Sequence, residues 1–304
     1  MSSSIDRRPS PEGTLRILTL NIGSLFEPDW DARRHEIVAW IDRLDPDVIT
    51  LQEVQESEGT PNTAGWLADA AEASWHWAFG GEGFDDGIWP DTSMRFGSAV
   101  LSRWPIESTS YHRLGVADGA DRIVAGIPWE LFGARTQGID VFSTHLAPAP
   151  THGAHRQRQV VEIDRLIRSA RGTLDDLVPG RPRTGLPPIL CGDFNAEAGS
   201  DEIRFLSGFT LLDGVTTAFQ DAWAVAGNGG AGFTNDWTIN PYAAALNVHR
   251  KRIDYVFVGD PFMRSGGAGR VLACAVVADA PLTGIVASDH AGLVADIAWP
   301  DRPA

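Results

Sequence analysis

Six short stretches of this chain run through closely spaced apolar residues and meet a polar side chain at one end. "LRILTLNI" (15–22) reaches Asn21, "DVITLQE" (47–53) stops at Glu53, and "GIDVFSTHLAP" (138–148) turns at His145. "ILCGDFNAE" (189–197) runs into Asp193 and Asn195, and "RIDYVFVG" (252–259) carries Asp254 near its start. "HAGLVADIAW" (290–299) follows Asp289 and opens on His290. A strand with one wet face alternates apolar and polar residues, so runs this continuous predict strands covered on both faces. Helical patterns lie between them. "DWDARRHEIVAWIDRLD" (29–45) spaces Ile37, Trp40, Ile41 and Leu44 along one face, and Pro46 follows. "NTAGWLADAAEA" (62–73) and "HRQRQVVEIDRLIRSA" (155–170) read as two more helices. The mixture predicts an α/β fold with helices outside the sheets.

Few segments resist this reading. "GGEGFDDGIWPDTSMRFG" (80–97) reads as a long loop, "SAVLSRWPI" (98–106) as a strand, and 171–188 as a turn-rich connector. Nothing resembles a long linker, so residues 14–304 are expected to form one domain behind a loose tail, 1–13. The N-terminus has no apolar signal core and no stretch reaches the roughly 18 apolar residues of a membrane span, which sets the expectation of a cytoplasmic protein. Cys191 and Cys274 sit in apolar runs and read as reduced core residues. Trp66, Trp75, Trp77, Trp89 and Trp104 crowd one stretch; most read as packing, with some left to line a groove.

Charge narrows the partners. With 25 basic and 40 acidic residues, the net charge is −15, a poor footprint for gripping long nucleic acid through many phosphates. Lys251 is the sole lysine, and "HRKR" (249–252) is a local basic cluster. Against an acidic background, Arg250 and Arg252 are candidate contacts for an anionic substrate.

The polar strand ends gain meaning as a set. Several carboxylates brought near one another are costly unless a cation offsets them. A hard cation such as Mg2+ takes carboxylate oxygens together with waters and phosphate oxygens. Histidines beside carboxylates suit proton transfer near neutral pH. Together these residues fit metal-assisted hydrolysis of a phosphate ester.

The motifs "LNIG", "LQEV", "STHLAP", "GDFN", "RIDYVFV" and "SDH" occur in this order from about residue 15 to 298. In that order they resemble the endonuclease/exonuclease/phosphatase superfamily, which is DNase I-like. The resemblance implies a four-layer α/β sandwich of two mixed β-sheets packed face to face. It implies Glu53 as principal ligand of Mg2+ (Mn2+ substituting), with Asn21 and Asp289 nearby. It makes Asp193 the residue that orients or deprotonates the attacking water, Asn195 a phosphate contact, and His290 a holder of a phosphoryl oxygen, kept in place by Asp254. His145 becomes a candidate general acid whose carboxylate partner the sequence does not identify. Glu197 falls outside the matched motif and reads as a surface or cap residue.

The family's core fixes the reaction class, while loops choose the substrate. Here loops 80–97, 108–122 and 226–250 are rich in Gly, Asp and Trp and poor in basic residues outside "HRKR". That favours a metal-dependent phosphodiesterase acting on a small or single-site substrate, and a monomer is expected. The alternatives are a DNA or RNA nuclease, a phosphomonoesterase or sphingomyelinase-type phospholipase, and an inactive binding or scaffold protein on the same fold.

Overall fold

The computed structural model describes residues 12–83, 91–115, 128–171, 183–244 and 249–303. The chain begins with β1 (Thr14–Asn21), α1 (Trp30–Leu44), β2 (Val48–Glu56) and α2 (Thr63–Ala70). Five strands follow: β3 (His76–Gly83), β4 (Arg95–Ser102), β5 (Ile106–Arg113), β6 (Glu130–Thr136) and β7 (Ile139–His145). Next come α3 (Gly153–Arg171), β8 (Ile189–Asp193), α4 (Asp201–Leu206), β9 (Phe219–Asp221), α5 (Ala222–Ala226) and α6 (Pro241–Ala244). The last strands are β10 (Asp254–Gly259), β11 (Val271–Val277) and β12 (Gly292–Ala298).

These strands form two six-stranded sheets, ordered β11-β12-β1-β2-β4-β3 and β5-β6-β7-β8-β10-β9. Each contains one parallel pair, β1 with β2 and β7 with β8, bridged by α1 and α3 respectively; the other neighbours are antiparallel. Both sheets are therefore mixed, as expected. A parallel pair brings two strands to the same end of a sheet. The C-terminal ends of β1 and β2 carry Asn21 and Glu53, and those of β7 and β8 carry His145 and Asp193. The antiparallel partner β10 starts at that same end, with Asp254 opposite Asp193.

Three apolar layers explain the continuous runs. In β1, Leu15 and Ile17 point between the sheets and meet Val141, Ile189 and Val256. Leu18 and Leu20 point outward, against Ile37, Trp40 and Ile41 of α1. Under α3, Val160, Ile163 and Ile167 cover Leu190, Phe194 and Phe257. The inner strands β1, β8, β10 and β12 are thus buried on both faces, giving helix, sheet, sheet, helix. The inter-sheet layer turns polar towards the site: the buried Gln52 amide donates to Thr19 Oγ1 (3.3 Å) and to Ser143 Oγ (2.9 Å). Cys191 and Cys274 are buried free thiols, and burial holds the Cys191 thiol well above its ordinary pKa.

The loop expected over 80–97 is shorter, because β3 and β4 extend into it from both sides. Part of the expected 108–122 loop is strand β5, an edge strand whose polar residues "IESTSYHR" are largely exposed and lack an apolar signal. Strands β6 and β11 were also not expected. Most of the 1–13 tail and of the 171–188 connector lies outside the described residues. No helix among the described residues is long and apolar enough to cross a membrane.

Candidate active site

The strand ends converge on Asp193. Its Oδ2 lies 3.6 Å from His145 Nε2 and 3.7 Å from His290 Nε2. It also accepts a hydrogen bond of 3.2 Å from the Asn21 amide. Its Oδ1 accepts from the backbone N–H of Asn195 at 2.8 Å. Asp193 is 1% exposed, so both oxygens are held by the protein. Gly192 allows this placement: its φ is +139°, and a Cβ there would fall 2.0 Å from the Thr144 carbonyl oxygen on β7. Only glycine lets β8 pack so closely just before the carboxylate.

Two site residues occupy the left-handed region of backbone space: Glu53 (φ +60°) and Asn195 (φ +49°). For Glu53 the cause is a bulge, since β2 shifts register against β4 between Leu51 and Val54. A bulge re-aims a side chain at the cost of local strain, here about 1 kcal/mol or more. Asn21 then donates to Glu53 Oε1 at 3.0 Å, while Ser24 Oγ donates to the Glu53 carbonyl. Glu53 Oε2 is buried with no hydrogen-bond partner. Burial, with Asp289 and Glu27 close by, pushes the Glu53 carboxyl up to about 8. Burial and Asp289 likewise lift Glu27 to about 7.

The imidazoles differ. His290 Nδ1 sits 2.9 Å from Asp254 Oδ2, and Asp254 is fully buried. Burial works against a charged His290, but Asp254, Asp289 and Asp193 together hold its pKa well above the usual range. His145 is shifted down, because burial outweighs the attraction of Asp193. At neutral pH one imidazolium and one neutral imidazole therefore flank Asp193.

The residues present suit a divalent cation. Glu53 has an orphaned buried oxygen, Asp289 and Glu27 lie near it, and His290 Nε2 stands 3.7 Å from Asp289 Oδ2; a hard cation favours such a gathering of carboxylate oxygens. Asn21 turns its NH2 to the carboxylates, and its Oδ1 accepts from Gly23 N–H at 3.1 Å. In this orientation it bridges Glu53 and Asp193 and does not present oxygen to a metal. Asp193, Asp254 and His290 also offer ligand atoms within 4.8 Å of one another. There the His290–Asp254 hydrogen bond already uses Nδ1, so a proton offsets the charge and the side of the orphaned Glu53 oxygen is the better cation seat.

Sequence reasoning missed the residues that hold this arrangement. Arg33, fully buried, spends all five N–H groups on carbonyl oxygens: Pro28 (2.7 Å), Ile22 (2.8 Å), Ala287 (3.0 Å), Gly23 (2.7 Å) and Glu27 (3.0 Å). It ties the loop after Asn21 to the segment before Asp289. Thr234 Oγ1 accepts from the N–H groups of Ile253 (3.2 Å) and Asp254 (3.3 Å), and its carbonyl accepts from Ala291 (2.7 Å). Asn240 donates to the Ser288 carbonyl at 2.7 Å. One loop thus braces both members of the His290–Asp254 pair. A lone arginine on a helix face gives no sequence signal for this role.

The basic cluster needs correction. Arg252 does not serve a substrate rim: it is buried and donates two hydrogen bonds to Asp221, at 3.0 and 2.8 Å, beneath its stack on Tyr255. A guanidinium buried in the core must have its charge matched there. Arg250 remains half-exposed, bonded to Asp236 at 2.9 Å and stacked on Phe233. His249 pairs with Glu197 on the surface, and Arg156 binds buried Glu202, a structural contact. Of the tryptophans, Trp75 and Trp77 flank the His76–Ser102 end of their sheet, opposite the site. Arg34 covers Trp66 and Arg103 covers Trp75, while Trp104 meets Trp299 edge to face. These four do not line the site, and Trp89 lies outside the described residues.

With this geometry in place, the sequence model of the Endonuclease/Exonuclease/phosphatase family matches residues 18–290. The chain belongs to this family. Its members hydrolyse phosphate esters, and the two mixed sheets are the family's DNase I-like sandwich. Similar solved structures include an endonuclease/exonuclease/phosphatase from Beutenbergia cavernae, 23% identical with a TM-score of 0.63 over 94% of this chain and 72% of that one. Truncated Caenorhabditis elegans TDP2 is 16% identical, with a TM-score of 0.63 over 93% and 97%. D. rerio TDP2 complexed with single strand DNA product is 17% identical, with a TM-score of 0.63 over 94% and 99%. A search of curated proteins gave no match.

Proposed function

We propose that this family member is a metal-dependent phosphodiesterase that attacks a small or single-site substrate in line with water. The observation that carries the reading is Asp193, held between His145 and His290 at 3.6 and 3.7 Å on the end of a buried strand. Glu53 and Asp289 would hold Mg2+ or Mn2+, with Asn21 fixing Glu53. When bound, the metal supplies positive charge to the phosphoryl oxygens.

This chain's own groups do the rest. Asp193 orients a water and takes its proton as the P–O bond forms. The His290 imidazolium donates to a non-bridging phosphoryl oxygen, and Asp254 keeps its ring fixed and charged. His145 hands a proton to the leaving oxygen. It is neutral in the free protein, and an arriving phosphate adds the negative charge that favours its protonated form. Asn195 contacts the phosphate from the turn after Asp193.

A single-stranded nucleic acid end is the second reading. The fold shared with a TDP2 bound to single strand DNA product favours it. The net charge of −15 and the pairing of both Arg250 and Arg252 with carboxylates weigh against a long duplex.

The test is a panel with Mg2+ or Mn2+ on bis-p-nitrophenyl phosphate, p-nitrophenyl phosphate, single-stranded oligonucleotide, plasmid DNA and sphingomyelin. EDTA abolishes turnover, the diester is preferred to the monoester, and Asp193→Ala and His290→Ala are inactive. Turnover that survives either substitution or EDTA contradicts the reading.

A further inference from the structure

We propose that Glu27 is a third carboxylate ligand of the cation that Glu53 and Asp289 hold, an inference that rests on the metal-dependent reading above. Glu27 sits six residues after Asn21, in the loop that leaves β1, where neither composition nor spacing marks it.

Geometry brings it back into the site. Gly23 has φ +50°, and a Cβ there would fall 1.9 Å from Glu27 Oε2 and 3.4 Å from Asp289 Oδ1. The space a side chain would fill at position 23 is therefore the space into which both carboxylates reach. Glu27 Oε2 is buried and has no hydrogen-bond partner, like Glu53 Oε2. Two orphaned carboxylate oxygens beside a third acid are unfavourable as anions unless they take up protons or a cation binds between them.

The loop is built to keep this arrangement. Arg33 binds the carbonyls of Gly23 (2.7 Å), Glu27 (3.0 Å) and Pro28 (2.7 Å), which fixes the backbone on both sides of the turn. Gln55 donates to the Ser24 carbonyl at 3.0 Å, and Ser24 binds the Glu53 backbone, so the loop is tied to the β2 bulge. Arg33 uses its N–H groups on carbonyls, so it gives the Glu27 carboxylate its charge nearby but no hydrogen bond. The ligand class that fits is a divalent cation with oxygen preference, Mg2+ or Mn2+. Three carboxylates give it more charge than the one or two common at Mg2+ sites.

The experiment measures Mn2+ binding alone, by calorimetry and electron paramagnetic resonance, on the metal-stripped full chain. Wild type is compared with Glu27→Gln, Glu27→Asp and Glu53→Gln, each checked for native circular dichroism. Glu27→Gln keeps the shape and removes the charge; Glu27→Asp keeps the charge and shortens the reach. Both are expected to weaken Mn2+ at least about tenfold, the loss that even a partner holding a ligand in place produces when removed. Unchanged or tighter binding in Glu27→Gln, with Glu53→Gln weakened, overturns the Glu27 role alone. Unchanged binding in Glu53→Gln removes the metal seat itself, and the Glu27 role with it.

Discussion

Replacing Arg33 with lysine should loosen the fold and the site together. The guanidinium donates five hydrogen bonds to five carbonyls and is fully buried. Lysine carries three N–H groups on one nitrogen, so at least two of those bonds are lost. A lost bond to a charged donor that leaves a carbonyl buried costs about 1.5–3 kcal/mol, so two cost roughly 3–6 kcal/mol. That is a large part of the roughly 5–15 kcal/mol by which domains are stable. The assay is urea unfolding of the metal-free protein, followed by Mn2+ titration of the folded variant. Arg33→Lys should unfold at clearly lower urea, and its Mn2+ affinity should fall because Asn21 and Asp289 no longer share an anchor. Wild-type midpoint and affinity in Arg33→Lys would refute the clamp.

Other consequences follow from the same site. Asp254→Asn removes the principal negative charge beside His290, so the His290 pKa should drop towards the ordinary range, read by histidine NMR titration, and diester hydrolysis should fall by at least about a hundredfold. Glu53 is pushed by burial from 4.5 to about 8. A raised carboxylate favours the fold while protonated, so metal-free stability should decline as pH rises from 4.5 through 8, by roughly 3 kcal/mol at pH 7. Mg2+ should reverse the decline and Glu53→Gln should lessen it, leaving the share of Glu27, itself raised to about 7; urea unfolding at pH 5 and pH 8 reads the first with Mg2+ added and the second in EDTA. Arg252→Met leaves the buried Asp221, which still caps α5, without its counter-charge, so it should cost about 3–5 kcal/mol of stability while kcat/KM on a small diester stays near wild type.

The strands that carry the chemistry were readable because burial on both faces leaves an unbroken apolar run, and a polar residue at its end stands out. β1, β2, β7, β8, β10 and β12 are of this kind. β5 was not, because an exposed edge strand tolerates residues as polar as those of a loop. Among site residues, Asn21, Glu53, His145, Asp193, Asn195, Asp254, Asp289 and His290 are brought to one end of the two sheets. Arg252 was misread because a basic residue in a basic stretch shows nothing of its distant partner: Asp221 lies 31 positions away. Arg33 and Glu27 were invisible for a related reason. Each acts through loop backbone and side-chain reach, and Ala287 stands 254 positions from Arg33. Thr234 and Asn240 likewise act across the fold, on Asp254 and Ser288.

The central claim is that Asp193 directs water at a phosphodiester in a metal-dependent reaction. Its most direct test is hydrolysis of bis-p-nitrophenyl phosphate in 18O-labelled water, with Mg2+ or EDTA, by wild type and Asp193→Asn. The label should enter the phosphate product, only with metal, and at least about a thousandfold more slowly in Asp193→Asn. Equal labelling rates in the two proteins, or labelling that persists in EDTA, would contradict the account.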